Sequence, residues 1–249
     1  MPRRREGQAL RTDILGVGFD SITLPQAVEK AAKLLEQGGT HYVVTPNPEM
    51  VQRAQKEPAF RAVLNGADLV LPDGVGITYA AKILGRPLAA RVPGIDFASA
   101  LCGELAKSGK KLFLLGAKPG VAELAAGNLK NEHPGLMVCG VHDGYFKEDG
   151  PVVEEIRAAG ADVVFVCLGF PRQEYWMAQH GPATGAGLLV GLGGSLDVFA
   201  GQVKRAPEGF QKLGLEWLYR LLTQPSRIGR MAKLPLFLVS AVGAKIKGK

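Results

Sequence analysis

Short runs of Val, Leu and Ile alternate with stretches in which apolar residues recur every three or four positions, from residue 12 to about residue 203. The short runs at 13–17, 41–44, 68–71, 111–115, 136–141, 162–168 and 188–192 predict strands. The stretches between them predict helices over 25–37, 49–55, 59–64, 77–83, 95–107, 120–131, 152–159 and 172–179. Punctuation agrees with these boundaries, since Pro25 opens the first helix and Gly38-Gly39 stop it. Strands rich in Val and Leu, bounded by Gly and separated by helices, imply an α/β fold with a buried, mostly parallel sheet.

The tail breaks the alternation. Phe210, Leu213, Gly214, Trp217, Leu218 and Leu221 fall on one helical face, and Lys212, Glu216 and Arg220 form a polar stripe at steps of four. A helix docked on the core and a helix lying on a membrane both fit residues 208–222. The longest apolar run, 234–244, contains Pro235. It is about half the roughly 20 residues that a spanning helix needs, so it is not expected to cross a bilayer, and insertion into lipid and packing on the core are both open to it. The division is a core over 1–206 and a basic, amphipathic C-terminal appendage over 207–249.

Charge sharpens that division. Residues 204–249 carry ten Lys and Arg against Glu208 and Glu216, a net of +8; the whole chain is +7, so residues 1–203 sum to −1. A near-neutral core with a basic, apolar tail points to chemistry in the core and an anionic surface at the tail. Few aromatics are interleaved with the basic residues, so stacking on bases is poorly supported and no nucleic-acid partner is expected. An anionic membrane surface is the expected partner. Cys102, Cys139 and Cys167 sit in apolar contexts with no metal-ligand spacing, which predicts buried thiols in a reducing cytoplasm. The N-terminus lacks the apolar segment of a signal peptide.

In a parallel α/β sheet, ligands bind at the carboxyl ends of the strands, so polar residues on the loops that follow strands carry the candidate chemistry. Thr45 and Asn47 follow the second predicted strand; on that loop alone, turn and N-cap roles explain them better than ligand contacts. Asp73 lies in a Gly-rich turn after the third and can take a proton from a hydroxyl. An Asp-Gly turn is the simpler account of it. Arg91 stands beside the tight Pro93-Gly94 turn, where a guanidinium suits phosphate, although a surface ion pair explains it too. Pro171, Arg172 and Gln173 open a helix where backbone N–H groups favour an anion. Arg172 and Glu174 otherwise read as a solvated helix surface.

Other signatures fail. Gly16-Val17-Gly18 is followed by Ser21 and not by a third glycine, which argues against a nicotinamide-dependent oxidoreductase. No Walker A sequence and no Gly-x-Ser-x-Gly elbow is present, and the four His are scattered. A non-catalytic membrane scaffold that binds a ligand at these loops is the alternative to an enzyme.

Taken in order, Val44-Thr45-Pro46-Asn47-Pro48-Glu49, Leu71-Pro72-Asp73-Gly74-Val75-Gly76, Arg91-Val92-Pro93-Gly94, Gly169-Phe170-Pro171-Arg172-Gln173-Glu174, Val203-Lys204-Arg205-Ala206-Pro207 and Leu213-Gly214-Leu215-Glu216-Trp217-Leu218-Tyr219-Arg220 resemble the WecG/TagA/CpsF glycosyltransferase family (glycosyltransferase family 26). The resemblance runs from about residue 14 to residue 230. It implies a Rossmann-like sheet flanked by helices, with a membrane-associating helical appendage. The implied activity is inverting transfer of N-acetylmannosamine, or a related sugar, from a UDP-sugar donor to polyprenyl-diphosphate-linked N-acetylglucosamine. Products of this class feed wall teichoic acid, enterobacterial common antigen or capsule synthesis.

The family lacks the Asp-x-Asp metal motif of many glycosyltransferases and none occurs here, so a metal-independent enzyme without cofactor is expected. By the resemblance, Asp73 is the base, and Arg91 with the tail residues Arg220, Arg227 and Arg230 stabilises the diphosphate. Thr45, Asn47 and Gln173 would orient the donor sugar or the acceptor. The lipid acceptor implies a cytoplasmic protein held peripherally on the inner face of the cell membrane, and a homo-oligomer is compatible with the sequence.

Overall fold

The computed structural model describes residues 11–207, 209–210, 216, 218–219 and 233–247. A short hairpin, β1 (Thr12–Ile14) and β2 (Val17–Phe19), leads into α1 (Leu24–Glu36) and β3 (His41–Val44). Next come α2 (Pro48–Lys56), α3 (Pro58–Gly66), β4 (Leu69–Val70), α4 (Val75–Ile83), α5 (Gly94–Ser108) and β5 (Lys111–Gly116). The chain continues through α6 (Val121–Glu132), β6 (Met137–His142), α7 (Asp149–Ala158) and β7 (Val163–Cys167). It then forms α8 (Arg172–Thr184), β8 (Leu188–Gly191), α9 (Ser195–Phe199) and, after the described part of the tail, α10 (Lys233–Ile246).

Six strands make one sheet in the order β4-β3-β8-β7-β5-β6, with every pair parallel. Its strands are apolar at both odd and even positions because both faces are covered. Val44, Phe113, Val164 and Leu189 point into the layer built with α2, α3, α4, α7 and α8. Val43, Leu112, Leu114, Phe165 and Val190 point into the opposite layer, built with α1, α5, α6 and α9. β3 and β8 are neighbours in register, Val43 beside Val190, so the loops that leave them emerge side by side in the middle of the sheet.

Three features depart from the pattern-based expectation, and a fourth answers a question it left open. The run 13–17 is not one strand but the turn of an antiparallel hairpin, with Leu15 (φ 55°) and Gly16 (φ 91°) at its tip. Positive φ at both tip positions matches the twist of a two-residue hairpin. Leu15 hides that turn in the sequence because its side chain packs on the core. The helix expected at 172–179 continues to Thr184, and the one-turn helix α9 was not anticipated. The apolar run 234–244 forms α10, whose Phe237 and Ala241 are wholly buried in the same layer as Met50, Val51, Ile77 and Ala80 of α2 and α4. One face of that run therefore packs on the core, while Leu236, Val239, Val242 and Ile246 remain exposed. No helix among the described residues is long and apolar enough to cross a membrane.

Candidate active site

Three strand ends and the start of α5 meet at one edge of the sheet. Thr45, one residue past β3, is 8% exposed, and its Oγ1 donates to the carbonyl of Gly191 at the end of β8, 3.0 Å away. Asn47 caps α2: its Oδ1 accepts the Met50 N–H at 3.1 Å, so this oxygen serves the helix, as its position after a strand and before Pro48 suggests. Asp73, in the turn after β4, accepts the N–H of Gly94, the first residue of α5, through Oδ1 at 3.2 Å. The carbonyl of Pro72 accepts the Val92 N–H at 2.9 Å, which holds loop 91–94 beside the Asp73 turn.

Glycines allow these segments to close up. A Cβ on Gly94 would stand 3.1 Å from Thr45 Cγ2, and one on Gly74 would stand 2.9 Å from Pro48 Cδ. The first would make the Thr45 side chain give by a few tenths of an ångström, and the second would have to displace the Pro48 ring. Thr45, Asn47, Asp73 and Gly94 thus form one contiguous surface.

Gln173 joins it from α8. The side chain is 3% exposed, its Oε1 accepts the Gly193 N–H at 2.9 Å, and its Nε2 donates to Glu174 Oε1 at 2.7 Å. A Cβ on Gly191 would stand 3.1 Å from that Nε2. Thr45 and Gln173 therefore approach Gly191 from two sides.

Glu174 corrects the solvated reading. It is wholly buried, and burial pushes its carboxyl up to about 7 against the opposing hydrogen bond from Gln173. A signal for this lay in the helical spacing. Glu174 is in line with the buried Met177, Gly181 and Thr184 at steps of three and four, the inward stripe of α8. Arg172 is also committed to structure, since its guanidinium donates to the carbonyls of Gly144 (2.7 Å) and Phe146 (3.3 Å) and lies 4.3 Å from the Phe146 ring centre. It clamps the loop after β6.

Arg91 leaves the same loop as Gly94. Its Nη2 stands 3.1 Å from Glu216 Oε2, and Glu216 Oε1 is 3.5 Å from Arg205 Nε. Arg205 also pairs with Asp96 in the first turn of α5, at 2.5 Å. The ion-pair account of Arg91 is thereby realised, with the partner supplied by the tail. Glu216 and Arg205 were not singled out individually from the sequence. Arg220, Arg227 and Arg230 lie outside the described residues.

Cys102 and Cys167 are buried and their thiols are pushed up to about 12 by burial, which rules them out as thiolate nucleophiles at neutral pH. Among the described residues, no three His, Cys, Asp or Glu side chains group as metal ligands.

The profile of the glycosyl transferase WecG/TagA/CpsF family matches residues 12–249. A protein of Bacillus spizizenii named N-acetylglucosaminyldiphosphoundecaprenol N-acetyl-beta-D-mannosaminyltransferase is 39% identical over 208 residues, covering 84% of this chain and 81% of the relative. A Staphylococcus aureus protein of the same name is 39% identical over 242 residues, 96% of this chain and 95% of the relative.

Proposed function

The chain belongs to the WecG/TagA/CpsF glycosyl transferase family, and from that premise we propose that it moves N-acetylmannosamine, or a closely related sugar, from UDP to a polyprenyl-diphosphate-linked N-acetylglucosamine with inversion, in teichoic-acid-type surface polymer synthesis. The observation that carries the reading is the meeting of Thr45, Asn47 and Asp73, from the carboxyl ends of β3 and β4, with Gln173 from the start of α8; Thr45, Asp73 and Gln173 are each hydrogen-bonded to a neighbouring segment, and Asn47 caps its own helix.

A single displacement forms a bond from an acceptor oxygen to the anomeric carbon and breaks the bond from that carbon to the β-phosphate oxygen of UDP. The acceptor proton passes to Asp73 as the new bond forms. Asp73 Oδ1 is already oriented by the Gly94 N–H, which fixes the carboxylate without protonating it. The leaving diphosphate gains negative charge and needs cations and N–H donors. Arg91 supplies one from the core, and Arg220, Arg227 and Arg230 supply others from the tail, where a planar fork matches two phosphate oxygens. Thr45, Asn47 and Gln173 hold the sugars. No cofactor or metal takes part in this scheme, and its rate is expected to survive chelation by EDTA.

The acceptor's lipid places the enzyme at an anionic bilayer. Two features support this. The exposed Leu236, Val239, Val242 and Ile246 line the outer side of α10, among the ten basic residues of the tail segment. Leu234, at the start of α10, packs where Gly76 lacks a Cβ, three residues from Asp73. The membrane-facing helix thus begins beside the base. Attachment to the inner face of the cell membrane follows from a cytoplasmic UDP-sugar supply.

The test is product analysis. Purified protein, UDP-N-acetylmannosamine and a short-chain lipid-diphosphate N-acetylglucosamine should yield a β-linked disaccharide on the lipid. Absence of transfer from every UDP-N-acetylhexosamine tried would refute the reading.

A further inference from the structure

Glu174 is out of place on packing grounds. Its side chain is wholly buried, yet Oε2 has no hydrogen-bond partner among the described residues. A buried carboxyl with an unmet oxygen destabilises a fold relative to an apolar side chain of the same size. Met or Leu would fill the position better, so stability does not account for a glutamate there.

What Glu174 does hold is Gln173. The Gly193 N–H can only donate, so the Gln173 amide must turn its oxygen toward it, at 2.9 Å. A carboxyl oxygen that carries no proton can only accept, whether or not the group is ionised, so the amide turns its nitrogen toward Glu174 Oε1, at 2.7 Å. The two demands agree and leave the amide one orientation. One N–H of Nε2 is then spent on Glu174, and the second stays available to donate to a ligand. Without Glu174, only the Gly193 contact would restrain the amide, next to the Gly193-Gly194 segment that follows β8. The same site is bounded by Thr45, whose hydroxyl binds Gly191 two residues earlier.

We propose that Glu174 is a positioning residue for glycosyl transfer, fixing the Gln173 amide and through it the Gly193 loop so that Gln173 presents an N–H to the donor sugar. This rests on the reading of Gln173 as a sugar contact. Glu174 touches no substrate and acts through Gln173 alone.

The experiment compares Glu174→Met, which removes the acceptor at near-constant volume, with Glu174→Gln, which keeps an oxygen in its place. Steady-state transfer from UDP-N-acetylmannosamine to the lipid acceptor is measured along with the melting temperature. Glu174→Met is expected to raise the donor KM by about tenfold or more, the scale of a lost hydrogen bond in a binding site, with a smaller change in kcat. Its melting temperature should equal or exceed that of the wild type. Glu174→Gln should recover most of the loss. In a Gln173→Ala background, Glu174→Met should add nothing further.

A donor KM within twofold of wild type in Glu174→Met, a full additional loss on Gln173→Ala, or a sharp drop in melting temperature would each overturn the proposal, the last by showing a structural role. Inactive wild-type protein would instead refute the assigned activity, and an unchanged donor KM in Gln173→Ala alone would refute the sugar contact.

Discussion

Arg91 and Glu216 form an ion pair, Nη2 to Oε2 at 3.1 Å, between a core loop that borders the Asp73 turn and the described part of the tail. The guanidinium assigned to the donor diphosphate is therefore neutralised by the protein's own carboxylate before a ligand arrives. Both side chains are mostly buried, at 20% and 17% exposed, so solvent screens the pair less than it would a surface pair. Arg205 stands 3.5 Å from the other Glu216 oxygen, a second cation beside the same carboxylate.

Glu216→Gln removes that competitor. UDP should bind roughly three- to tenfold more tightly, the scale of one partly buried charge pair. Isothermal titration with UDP reads this directly, and weaker binding would mean that Glu216 supports Arg91 and does not compete for it.

The Glu174 carboxyl gives the fold a pH signature. It ionises at about 7 in the folded chain because it is buried, against an ordinary value of 4.5. The folded state then holds more protons than the unfolded state between those two values, so this group makes stability fall as pH rises from about 4.5 to about 7 and adds no slope above that. The full effect is on the order of 3 kcal/mol. Denaturant titrations of wild type and Glu174→Gln from pH 5 to pH 8 should diverge in that sense, with the variant gaining on the wild type toward neutral pH. Parallel curves would show that the carboxyl is not held as described.

The two faces of α10 should separate by function. Phe237→Ala empties a wholly buried site against α2 and α4 and should lower stability by up to about 3–5 kcal/mol, less if α10 releases locally. Leu236→Asp with Val239→Asp changes only exposed positions, so stability should shift by roughly 0.5 kcal/mol or less. The same pair should weaken binding to anionic vesicles by about tenfold or more, since each apolar side chain contributes a kcal/mol or so on insertion. Vesicle co-sedimentation and thermal melts read the two effects separately. A vesicle loss in Phe237→Ala with none in the Asp pair would reverse the assignment of faces. Deleting everything after Pro207 would uncover the core beneath Phe237 and Ala241, so such a truncation combines both effects.

The sheet was legible because its central strands carry apolar residues at odd and even positions alike and its helices do not, and those two patterns seldom mimic one another. Val43 and Val44, or Leu112 and Phe113, need no tertiary knowledge to be assigned to a doubly covered strand. Strand order was not legible, since register between β3 and β8 is set across more than a hundred intervening residues. Leu15 misled because an apolar side chain occupies a turn position that sequence rules give to Asn or Gly.

Thr45, Asn47, Asp73 and Gln173 were legible as strand-end and helix-start polar residues, and the structure brings them to one edge. Glu174 was misplaced because charge was weighed above helical phase. The link from Arg91 to Glu216 joins residues 125 positions apart, and no local pattern announces it.

The most direct measurement is acceptor-dependent release of UDP from UDP-N-acetylmannosamine by wild type and Asp73→Asn. Asn keeps an oxygen for the Gly94 N–H, so the variant should stay folded. The account predicts release that requires the lipid-diphosphate acceptor in wild type and falls by about 10²–10⁴-fold in the variant, the range of a lost general base. Equal rates in the two proteins would contradict the assignment of Asp73 and of the site built around it.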